Sequence, residues 1–131
     1  MKWKTILLLS LFGILMGLNS VFGIIKNVEW VLWLIIAIVS AYVLNKQTKN
    51  LLVTHAVITG LFMGILNAII QSSMFDMYLA NNPEIDGFKQ WPIAVEPQYF
   101  LLMAGPFIGI VYGLIIGLFA LIIKKISKRN K

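Results

Sequence analysis

Pro97-Gln-Tyr-Phe-Leu-Leu-Met-Ala-Gly-Pro-Phe-Ile-Gly-Ile-Val-Tyr-Gly-Leu-Ile-Ile-Gly-Leu-Phe-Ala-Leu-Ile-Ile123 runs for 27 residues without a charge, from Glu96 to Lys124. A charged side chain near mid-bilayer costs roughly 2.5 to 3.5 kcal/mol on the insertion scale. An apolar interval longer than the roughly 20 residues that cross the hydrocarbon core therefore reads as a membrane helix. Working outward from that stretch, the same measure finds 26 uncharged residues between Lys49 and Asp76 and 21 between Lys4 and Lys26. Only 16 separate Glu29 from Lys46. At about 1.5 Å rise per residue that is roughly 24 Å, short but sufficient if both flanking side chains snorkel to the interfaces.

Strands are disfavoured because none of these runs alternates between apolar and polar residues, as a membrane barrel requires. In a helix every backbone polar group within the span is paired internally. The expected fold is all-α, a polytopic four-transmembrane-helix bundle forming one membrane domain over 1–131. Its spans lie at about 5–25, 29–45, 51–75 and 99–123, with an outer loop over 76–98. The first span is expected to be a membrane helix and not a cleaved leader, since no Ala-x-Ala-like site follows it and its apolar run exceeds the usual 7 to 15 residues or so.

Composition agrees, with 60% of residues apolar and 12% charged, against roughly half and a quarter in soluble domains. Cysteine is absent, which removes disulfides, thiolate metal sites and cysteine nucleophiles. The net charge of +6 is read as topology and not as a nucleic-acid site. If the spans are as drawn, Lys2, Lys4, Lys46, Lys49, Lys124, Lys125, Lys128, Arg129 and Lys131 share one side of the membrane, and only Lys26 and Lys89 lie on the other. Basic residues in short loops stay in the cytoplasm, so the expected orientation is N-in/C-in. The basic tail also has the charge to hold an anionic lipid headgroup, beside its plainer reading as a stop-transfer anchor.

Eight of the ten glycines stand four residues from another within a span: Gly13 and Gly17, Gly60 and Gly64, then Gly105, Gly109, Gly113 and Gly117. That spacing puts them on one helix ridge, where a second backbone can approach closely. The ridge extends as Ser10, Gly13, Gly17, Ser20 on the first helix and as Ala56, Gly60, Gly64, Asn67, Gln71 on the third. The fourth span, richest in glycine, is expected to be the central packing element, kinked near Pro106. Packing within one chain and homo-oligomer formation both satisfy the pattern.

Asn19, Asn67 and Gln71 are the candidate intramembrane polar site, suited to interhelical hydrogen bonding or to lining a path. His55 is the sole histidine and has no second ligand-type residue in its leaflet. No carboxylate lies in mid-membrane and no nucleophile–base or metal cluster is evident, so neither an enzyme nor a cofactor is expected. Downstream, residues 74–80 are expected to prolong the third helix by a turn, with Asn81-Asn82-Pro83 ending it. Trp91, Pro92, Pro97 and Tyr99 then return the chain along the interface.

The expected function is a non-catalytic accessory protein that packs against itself, lipids or a larger membrane partner. The alternative is a small transporter or channel subunit acting as an oligomer. Phe75-Asp-Met-Tyr-Leu-Ala-Asn-Asn-Pro-Glu84, followed by the glycine-ridged 105–119 segment, resembles small bacterial four-helix membrane proteins carrying a domain of unknown function. The resemblance covers at most the second half of the chain. It implies a bacterial inner membrane and no activity.

Overall fold

The computed structural model describes residues 1–83 and 96–130, so Glu84, Asp86, Lys89, Trp91 and Pro92 of the outer loop lie outside the described residues. Among the described residues five helices follow one another: α1 (Trp3–Phe22), α2 (Glu29–Gln47), α3 (Leu52–Ser73), α4 (Phe75–Asn81) and α5 (Pro97–Arg129). All but α4 are long and apolar enough to cross a membrane.

Local chemistry sets the helix ends. Gly23 takes the left-handed conformation (φ 61°) and its N–H caps α1, a role glycine fills without a Cβ penalty. Asn19 then clasps the turn, donating from Nδ2 to the Ile25 carbonyl at 3.2 Å and accepting the Ile25 N–H at 3.1 Å. The Ser20 hydroxyl donates to the Glu29 carboxylate and so ties the end of α1 to the start of α2. Leu51 precedes α3 in a left-handed conformation (φ 55°), unusual for a residue with a branched side chain. Pro97 opens α5, where its missing N–H is no loss.

Pro106 lies inside α5 without ending it, and the helix continues past Ile123 through the basic residues to Arg129. Its 33 residues extend about 50 Å at the helical rise, well beyond a hydrocarbon core of about 30 Å.

Two expectations are corrected. The central element is α3, not the glycine-rich α5: α3 touches every other helix, most extensively α5 and then α1, while α2 rests mainly on α5. The reason is that α3 offers close approach on two faces, Gly60 and Gly64 to α5 and Met63 and Asn67 to α1. Nor does the chain after Ser73 prolong α3. It breaks at Met74 (φ −116°, ψ 38°), and α4 folds back against the end of α1. Asn82 donates from Nδ2 to the carbonyls of Ser20 (2.7 Å) and Tyr78 (2.8 Å), and Asn81 donates to Val21 at 3.0 Å.

At the opposite end of the bundle, the Lys2 backbone N–H donates to His55 Nε2 (3.1 Å), and Asn45 Nδ2 donates to the Ala120 carbonyl (2.7 Å). The start of α1, the end of α2, the start of α3 and the end of α5 therefore gather at one pole. α1 and α3 run parallel, and α5 runs against them.

Candidate functional site

The polar candidates are positioned by a seam of small residues between α3 and α5. Ala56, Gly60, Gly64 and Ala68 descend α3 in steps of four and meet Gly117, Gly113, Gly109 and Gly105 of α5 in antiparallel order. A Cβ added at Gly64 would stand 2.6 Å from Gly109 Cα, and one at Gly109 would stand 2.5 Å from the Gly60 carbonyl oxygen. At Gly113 it would be 2.6 Å from Val57 Cα. Gly117 is looser, its nearest neighbour being Val53 Cγ1 at 3.4 Å. On the other face of α3, Gly13 lies against the Met63 backbone and Gly17 against Ile70. All eight glycines face neighbours within the same chain.

Beside the tight contacts of Gly64, Gly105 and Gly109 lies a cavity of about 220 Å³ bounded by α2, α3 and α5. Asn67 and Gln71 enter it from α3, Leu101, Ala104 and Ile108 from α5, and Trp33 from α2. Ile108 is 65% exposed, so the cavity opens sideways, toward the space lipid would occupy. Tyr112 closes one end: its hydroxyl donates to the Trp33 carbonyl at 2.6 Å, and the two rings meet edge to face at 5.0 Å. That pairing locks α2 onto α5, the aromatic edge-to-face contact adding to the hydrogen bond.

Asn67 Oδ1 is buried and has no hydrogen-bond partner among the described residues. A buried, unpaired amide oxygen is unfavourable by about 1 to 3 kcal/mol, and such atoms in a folded chain call for an explanation. Asn19, the third polar candidate, is not brought to this cavity; both ends of its amide are engaged with Ile25. His55 is likewise occupied. Its Nδ1 donates to the Leu51 carbonyl (2.7 Å) while Nε2 accepts from Lys2, an arrangement that fits a ring protonated on Nδ1. Among the described residues no group of three or more His, Cys, Asp or Glu side chains gathers to hold a metal.

Sequence reasoning missed Trp33, Tyr112 and Ala68. Ala68 continues the step of four from Gly64 and was legible on that ground, but nothing in the pattern around Trp33 and Tyr112 marks them as partners across 79 residues. Comparison with protein-family models, curated proteins and solved structures finds no match to this chain.

Proposed function

We propose that the chain is a non-catalytic multi-pass protein of a bacterial inner membrane, inserted N-in/C-in, that seats part of a lipid or similar amphiphile between α2, α3 and α5. The observation that carries this reading is the laterally open, mostly apolar cavity lined by Asn67 and Gln71, with the buried Asn67 Oδ1 left unpartnered at its wall. A ligand that suits it has an apolar body for Leu101, Ala104 and Ile108 and a polar group for the Asn67 and Gln71 amides. The volume of about 220 Å³ is below the roughly 300 to 1,000 Å³ of pockets that enclose a whole drug-sized molecule, which favours a segment of a chain over a complete solute. The orientation rests on nine of eleven basic residues falling to one side. It predicts that a reporter fused after Lys131 stays cytoplasmic.

The test is labelling with a photoactivatable phospholipid in membranes. Wild type is expected to take label on α3 and α5 around Asn67 and Ile108, and both Asn67→Leu and Ala104→Phe to lose it, while label on the bilayer face of α1 persists. Uniform labelling of every outward face, unchanged by either substitution, contradicts the reading. Solute flux in liposomes that vanishes in Asn67→Leu would replace it with the transport alternative.

A further inference from the structure

At the pole where α1 begins and α5 ends, a cavity of about 290 Å³ lies between the α2–α3 connection and the last turns of α5. Four lysines from two distant segments border it, Lys46 and Lys49 on one side and Lys124 and Lys128 on the other, with Tyr42 and Ser127 hydroxyls beside them. Its floor is fixed. Asn45 donates to both the Ala41 carbonyl (3.0 Å) and the Ala120 carbonyl (2.7 Å), bolting the end of α2 to α5. Thr48, itself buried, donates to the Asn50 carbonyl at 2.9 Å and folds the connection. Lys46 Nζ sits 4.8 Å from the centre of the Tyr42 ring, a cation–π contact that holds the ammonium at the rim.

Among the described residues no carboxylate neutralises these charges. Glu29, Asp76 and Glu96 sit at the far ends of their helices, the two remaining acids fall between Asp76 and Glu96 in sequence, and none of the four lysines has an ion-pair partner among the described residues. Four ammonium groups around one concavity repel each other until an anion enters. Lysine is a strong phosphate partner as a point charge, and hydroxyls can complete the shell of acceptor oxygens.

We propose that this cavity is a binding site for a phosphate ester, recognised by Lys46, Lys49, Lys124 and Lys128. The ester is either the headgroup of an anionic phospholipid or a soluble phosphate. This site is separate from the Asn67 cavity, and its occupancy does not depend on a ligand there. Lys2, Lys4, Lys125 and Arg129 carry the same charge at the same pole but do not border the cavity, so they serve as the control for basic surface alone.

The experiment is titration of the purified full chain in neutral detergent with phosphatidylglycerol, followed by native mass spectrometry and repeated in the presence of inorganic phosphate. Two charge-matched variants accompany wild type: Lys49→Gln/Lys128→Gln within the cavity and Lys125→Gln/Arg129→Gln outside it. With about 1 kcal/mol per lysine at a membrane surface, the cavity variant should bind roughly 30-fold more weakly, and the outside variant within about threefold of wild type, because screening mutes charges that do not touch the ligand. Saturable lipid binding that inorganic phosphate does not displace identifies a headgroup site; displacement by inorganic phosphate identifies a soluble ester. Equal weakening in the two variants, or no saturable binding of either probe, overturns the proposal. Asn67→Leu separates the two sites, since it should remove only the lipid seated between α2, α3 and α5 and leave in place the bound lipid that Lys49→Gln/Lys128→Gln weakens.

Discussion

At the scale of single residues, the glycines of the seam differ in what they tolerate, and the difference is testable by the smallest substitution available. Alanine is the better helix former by about 1 kcal/mol, so a loose glycine gains from replacement while a tight one is overpacked by typically about 1 to 3 kcal/mol. Gly117, with nothing closer than 3.4 Å to a Cβ, should accept alanine with an unchanged or raised thermal midpoint in detergent. Gly60 and Gly109 meet backbone, which cannot swing aside, and should lose stability on the same change. Equal tolerance at all three positions would mean that the seam is not packed as described. The step of four exposed these glycines in the sequence; their partners stayed hidden, because spacing along one helix says which face is small and nothing about what covers it.

Leu51 is a second case at this scale. Its left-handed conformation carries a penalty of about 1 to 2 kcal/mol for an L residue, and its side chain is 65% exposed, so little packing is at stake. Leu51→Gly should stabilise the chain by up to about 1 kcal/mol after glycine's own entropic cost, and Leu51→Val should destabilise it. Thermal midpoints in the opposite order would contradict the conformation.

At the scale of elements, four long apolar helices could be read from charge-free intervals alone, since hydrocarbon imposes a length and excludes charge. The break at Met74 could not be read that way. Residues 72–74 contain neither glycine nor proline, and what turns the chain is tertiary: Asn81 and Asn82 reach carbonyls some 60 residues earlier, at the end of α1. Asn82→Ala should therefore free α4 with little effect elsewhere. Its amides should lose hydrogen-exchange protection, while those of α3 and α5 keep theirs and global stability falls by only about 1 to 3 kcal/mol. Loss of protection throughout the bundle would mean that α4 is integral to the core. The central place of α3 was equally hidden, because it follows from two faces being used at once, and a count of glycines registers only one of them.

At the scale of the whole molecule, small residues line the closest helix contacts and many large ones face outward. Ala37, Ala41, Ala56 and Ala120 are wholly buried, whereas Leu8, Leu15, Phe107 and Leu118 are each more than half exposed. Water would penalise so extensive an apolar exterior, but lipid tails are as apolar as leucine and leave close backbone packing as the force that joins the helices. The same division explains how much of the candidate site was legible. Asn67 and Gln71 could be picked out as polar residues in an apolar span, while the cavity they share with Trp33 and Ala104 exists only once three helices are assembled.

That assembly rests on the α3–α5 seam closing within a single chain. Ala56 Cβ lies 3.6 Å from where Gly117 would place its own, inside the roughly 3.5 to 4.5 Å that a disulfide spans, and the chain has no cysteine of its own to confuse the result. Ala56→Cys/Gly117→Cys, oxidised in native membranes, should form a bond within each chain, seen as a faster-migrating monomer that reverts on reduction. A covalent dimer, or two thiols that stay free, would contradict the account.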